Sequence, residues 1–203
     1  MRQDEAINRI INENKKMKSI ILGIAIAAST LAACNNSNNS SPESKTAAKD
    51  TDKTNLANTV SIKEIVSGYL QVKNAFTNDN TNGAATAGTF LETTIKNFDK
   101  SALTAAQKKI FEDVEDDARE HAEHIGANGG NIAHQREHFE MLSKDIYDLV
   151  KSFGNNGQTL YKDFCPMYND NKGAFWISET KEIKNPYLGN AMPTCGTIKE
   201  ELK

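Results

Sequence analysis

Apolar residues recur at three- and four-residue steps in four successive stretches of the chain, and that spacing predicts four amphipathic helices. The first covers residues 61–77, with Ile62, Ile65, Val66, Tyr69, Val72 and Phe76 on one side. The turn-forming run DNTNG at 79–83 separates it from a second helix at 84–98, striped by Ala84, Ala87, Leu91, Ile95 and Phe98. The third opens at Thr104, with Gln107 three residues on as a capping box. It carries Ala106, Ile110, Val114, Ala118, His121 and Ile125, and Gly126 is expected to stop it. Gly129 and Gly130 make the next turn, with Asn131 as N-cap. The fourth runs over 132–153, striped by Ile132, Gln135, Phe139, Leu142, Ile146, Leu149 and Phe153. Short links between such helices favour antiparallel neighbours, so the expected fold is all-α, an up-down four-helix bundle.

Past Gly154 the texture changes to prolines, aromatics and glycines without helical period. Residues 159–164 and 174–178 are expected as short strands and 198–202 as a last helical turn. The stretch 154–203 is therefore an irregular, partly β C-terminal cap laid across the bundle, with Phe175 and Trp176 beneath it.

The N-terminus is patterned as a secretory signal. Lys15, Lys16 and Lys18 precede an apolar run at 20–28, which is shorter than the roughly 20 residues a spanning helix needs. Leu31, Ala32, Ala33 and Cys34 then form a lipobox, so cleavage is expected before Cys34 and diacylglyceryl transfer to its thiol. Residues 1–33 are the signal, with Met17 the better start. The Ser-, Asn- and Lys-rich 34–58 is a lipidated, disordered tether, and 59–203 is one domain. This predicts a cell-envelope lipoprotein held on a membrane by its lipid. Asn35 after the cysteine favours the outer membrane.

Charge narrows the partners. The chain has 24 Lys and Arg against 27 Asp and Glu; beyond residue 33 the balance is 19 against 24. Such a surface gives no reason to expect nucleic acid.

All four histidines fall within eighteen residues, as His121-x-x-His124 and His134-x-x-x-His138. Each spacing sets its pair on one helix face, and a turn at 126–130 would bring both pairs to one end of a bundle, a common place for a metal. Ordinary polar contacts with Glu120, Glu123, Glu137 and Glu140 are the alternative. A second constellation is Cys165-Pro166-Met167 and Met192-Pro193-Thr194-Cys195. Thiol and thioether donors select soft ions such as Cu(I), while a Cys165–Cys195 disulfide would use the same cysteines as a structural clip. Neither a nucleophile elbow nor an acid–base pair stands out, so no enzyme is expected.

The strings REHFEMLSKDIYDLVKSF and LYKDFCPMYNDNKGAFWISETKEIKNPYLGNAMPTCG resemble a bacterial domain of unknown function over residues 60–200. That domain occurs in envelope lipoproteins and at the C-terminus of periplasmic adaptor subunits of copper/silver-type efflux systems. Its most specific matches are Cys165-Pro166-Met167, Gly173-Ala174 with Trp176, Asn185-Pro186-Tyr187, and Met192 with Cys195-Gly196. Tyr168 and Phe164 depart from it, the latter standing where some relatives carry a histidine. The resemblance implies a metal-binding or interaction module working with a heavy-metal efflux adaptor. The expected function is thus binding of copper, or else zinc, through His121, His124, His134, His138, Cys165, Met167, Met192 and Cys195, with the cap folding back so that sulfurs and imidazoles share one site. The alternative is a structural or protein-interaction lipoprotein clipped by the disulfide.

Overall fold

The computed structural model describes residues 61–203, which fall within one compact unit. Cys34, the signal and the tether lie outside the described residues. Four long helices come first: α1 (Lys63–Thr77), α2 (Thr81–Lys96), α3 (Ala105–Ala127) and α4 (Ile132–Phe153). Then follow β1 (Leu160–Cys165), the four-residue turn α5 (Tyr168–Asn171), β2 (Ala174–Ser178), a 3-10 turn (Gly189–Ala191) and β3 (Thr197–Leu202). The chain is mostly helical, with a small antiparallel sheet at its C-terminal end. Among the described residues no helix is long and apolar enough to cross a membrane.

The helix starts are set by side-chain caps. Thr104 and Gln107 close the capping box in both directions, at 3.2 and 3.1 Å, and the Asn131 side chain accepts from the backbone of His134. Asn80 accepts from Gly83 N–H, so α2 begins at Thr81, a turn earlier than its apolar stripe suggests. Each helix packs chiefly on its neighbour in sequence, and α1 also touches α4. Tyr69 stacks on Phe139 and Phe98 on Phe111, fixing two levels of the core. The α3 stripe begins at buried Phe111, while Ala106 is exposed.

Gly126 does not end α3. It lies inside the helix, where α2 crosses closely: a Cβ on Gly88 would meet the Gly126 nitrogen at 2.8 Å and the Ala122 oxygen at 2.9 Å. Both glycines are there for backbone approach, and the helix runs on to Ala127.

The cap is more regular than its sequence. Strand order is β2-β1-β3, all antiparallel, with Asp163 opposite Trp176 and Cys165 opposite Ala174. Residues 198–202, expected as a helical turn, form most of β3, paired from Leu160–Leu202 to Phe164–Thr197. Its Lys199, Glu200 and Glu201 have weak strand preference alone; the open edge of β1, and the Tyr147 hydroxyl and Lys151 ammonium donating to Glu200, hold them extended. The sheet is bonded onto the helices through buried polar groups. Tyr69 Oη accepts from the Ile177 backbone N–H at 3.0 Å and shares a 2.8 Å bond with Ser143. Tyr187 donates to the Phe175 carbonyl, and buried Lys73 pairs with Glu179 at 2.6 Å.

Candidate metal centre

Steps of three and four put His121 and His124 on the α3 face that meets α4, and His134 and His138 on the facing side of α4. The pairs interleave in opposite directions along the two helices: His121 lies against His138 and His124 against His134, with ring centroids 5.4 and 5.7 Å apart. His138 is the hub. Its ring stacks on His124 at 4.1 Å and 11°, stands edge-on to His134 at 4.6 Å, and its Nδ1 is 3.2 Å from His121 Nδ1. One ligating atom each from His124, His134 and His138 can be chosen so that all lie within 4.8 Å of one another. At metal–nitrogen distances of about 2.0–2.1 Å, two donors on one ion lie no more than about 4 Å apart, so small rotations close the triad on an ion.

The electrostatics suit ligation by neutral imidazole. Burial pushes His138 down from 6.5 to about 4, and the charges of His124, His134 and His121 push the same way. Burial also lowers His121, against the pull of Asp117 and Glu120. His134 Nδ1 lies 3.5 Å from Glu137 and His124 Nε2 3.9 Å from Glu120, carboxylates placed to orient the outer rings.

Sequence reasoning missed the acidic continuation of this seam. Asp145 is seven residues, two turns, past His138 on the same face of α4, and its Oδ2 is buried without a hydrogen-bond partner. Burial, reinforced by Asp117 and Asp148, raises its carboxyl to about 7. The spacing 134, 138, 141, 145 was the available signal.

The sulfur residues are elsewhere. Among the described residues the three-histidine group is the one cluster of three or more His, Cys, Asp or Glu donors close enough to share a metal, and neither cysteine belongs to it. The cap does return along α4 to the level of the histidines: Arg136 Nε donates to the Pro186 carbonyl at 2.7 Å, and Asn169 reaches Glu140. It does so on another side of the helix. Arg136 is two residues from both His134 and His138, roughly 160° round at 100° per residue, and Phe139 and Ser143 also meet Tyr187 there. The expected junction of cap sulfurs with imidazoles therefore does not form. Cys165 and Cys195 are both free, and the register that pairs Phe164 with Thr197 sets them on neighbouring segments at one end of the sheet. Met167 and Met192 are exposed.

Residues 65–158 match the family model described as a protein of unknown function, DUF3347, in keeping with the resemblance read from the sequence. The match takes in α2, α3, α4 and all but the first two residues of α1, including all four histidines, and ends before β1, so the Cys165-to-Cys195 segment lies beyond it. No curated protein and no solved structure matches the chain.

Proposed function

We propose that this protein is an envelope lipoprotein, anchored through Cys34, that binds a borderline metal ion at His124, His134 and His138 and buffers or delivers it. In this reading the helices form an up-down bundle, and the site sits on the α3–α4 seam with its fourth coordination position open to a small ligand or a partner's donor. The observation that carries the reading is the convergence of three imidazole donors within 4.8 Å around a ring held neutral. Copper is placed ahead of zinc because nitrogen donors bind Cu(II) more tightly than Zn(II). A heavy-metal efflux adaptor is the proposed recipient.

His121 donates to or accepts from His138 Nδ1, fixing which nitrogen of the hub faces the ion. The cysteines are not among the donors of this site. The test is titration of the metal-free full chain with Cu(II) and Zn(II) by competition against a chelator of known strength. His134→Ala/His138→Ala is expected to abolish binding and Cys165→Ser to leave it intact. Equal affinity in the double histidine variant and the parent chain sinks the proposal. The adjacency of the two thiols favours a second reading, a metal-free interaction lipoprotein clipped by a Cys165–Cys195 disulfide; absence of metal binding in the parent chain would select it.

A further inference from the structure

The sulfur cluster is not used by the histidine site, and its surroundings are built rather than incidental. Cys165 ends β1 on the inner face of the sheet with no exposed surface, opposite the small Ala174 on β2. Cys195 comes from the loop ahead of β3, two residues before the Thr197 that pairs with Phe164, which sets it beside the end of β1. That loop is clamped by one buried side chain: Asn185 Nδ2 donates to the Cys195 carbonyl at 2.7 Å. The Asn185 backbone N–H donates to Pro193 O at 2.8 Å. Asn185 Oδ1 is itself held by the N–H groups of Tyr187 and Leu188. The Cys195 N–H closes a turn onto Met192 O. Fully buried Asn185 thus commits its amide oxygen twice and one amide N–H to the strand-to-loop geometry that sets Cys195 beside Cys165. Met167 and Met192, flanking the two cysteines in sequence, carry thioethers that are 50% and 37% exposed.

We infer that Cys165 and Cys195 form a second metal site, separate from the histidines, which takes a soft monovalent cation, Cu(I) or Ag(I), as a two-coordinate dithiolate with the thioethers of Met167 and Met192 at its entrance. Thiolate and thioether donors select such ions, and two sulfurs suffice for them, whereas zinc asks for four donors and finds two here. On binding, each thiol releases one proton to solvent and each sulfur forms one bond to the ion; no electrons change hands. The inference stands independently of the histidine site.

The experiment is an anaerobic titration of the reduced full chain with Cu(I) held by a competing chelator, read by the sulfur-to-copper charge-transfer absorption in the near ultraviolet. One Cu(I) per chain is expected to produce the band. Cys195→Ser, at the half-buried position, is expected to lose it while keeping the parent's circular dichroism; Cys195→Ala repeats the measurement without the serine hydroxyl. His134→Ala/His138→Ala is expected to keep the band in full. The inference is overturned if the parent gives no band while both thiols still react with a thiol reagent, if Cys195→Ser and Cys195→Ala retain the band, or if the histidine variant abolishes it. Zinc titration of the same proteins reads the histidine site alone, so failure of one site is distinguishable from failure of the other.

Discussion

Asp163 carries no exposed surface, and neither of its carboxylate oxygens has a hydrogen-bond partner. Its cross-strand neighbour Trp176 has an unpartnered buried indole N–H as well. The one cation acting on it, Lys73, is already bonded to Glu179 at 2.6 Å. Burial raises the Asp163 carboxyl from 3.8 to about 6; Lys73 pulls against the rise and the Glu179 charge adds to it. A carboxyl raised in the folded state favours folding while it is protonated. Its contribution is fully present below pH 3.8 and is lost as pH rises through about 6. At 1.36 kcal/mol per pH unit of difference, the loss between pH 4 and pH 7 is about 2 kcal/mol. Asp163→Asn keeps the shape and cannot ionise. The stability of the variant minus that of the parent is therefore expected to climb by about 2 kcal/mol from pH 4 to pH 7, other groups cancelling in the difference. Urea unfolding at four pH values gives the curve. The chain's single tryptophan, Trp176, reports the same event directly: native fluorescence of the parent should titrate near pH 6, and that of the variant should not. Parallel stability curves together with a flat fluorescence profile in the parent would refute the account of Asp163 as a buried, unpartnered carboxylate.

In metal-free protein, His138 works in the opposite direction. Its pKa lowered to about 4 means stability present above pH 6.5 and lost as pH falls towards 4, about 1–2 kcal/mol once solvent screening of this half-buried ring is allowed for. His138→Gln should flatten that limb of the unfolding profile, and an unchanged limb would count against the neutral hub. Gly88→Ala pushes a methyl group to 2.8 Å from the Gly126 nitrogen and should cost about 1–3 kcal/mol, seen as a lower melting temperature; a variant as stable as the parent would mean that α2 and α3 are not so closely apposed. Asp145→Asn removes a carboxyl raised to about 7 and should stabilise the protein at pH 8 relative to pH 5. Cys34→Ser should release the protein from the membrane fraction, and unchanged partitioning would be evidence against lipid attachment there.

What the sequence determines by itself is whatever local chemistry settles. The capping box at Thr104 and Gln107, the Asn131 cap and the apolar stripes place four helices, because caps and period act within a few residues. The strand at 174–178 was legible for the same reason, as was the pairing of histidines by steps of three and four. Glycine at 126 was ambiguous: the same residue that ends a helix also lets another backbone approach, and only the crossing with Gly88 decides between them. Strand β3 was not legible, since Lys199, Glu200 and Glu201 become extended through pairing with residues some forty positions earlier. The largest divergence concerns the cap. Chain length allowed the sulfurs to return to the histidine level, and the cap does reach it; the tertiary structure decided on which side of α4. Tyr69, Ser143, Phe139 and Tyr187 lock the sheet onto the face opposite the imidazoles. Reach follows from counting residues. Facing depends on which buried side chains satisfy one another, and that is fixed only when the core is assembled.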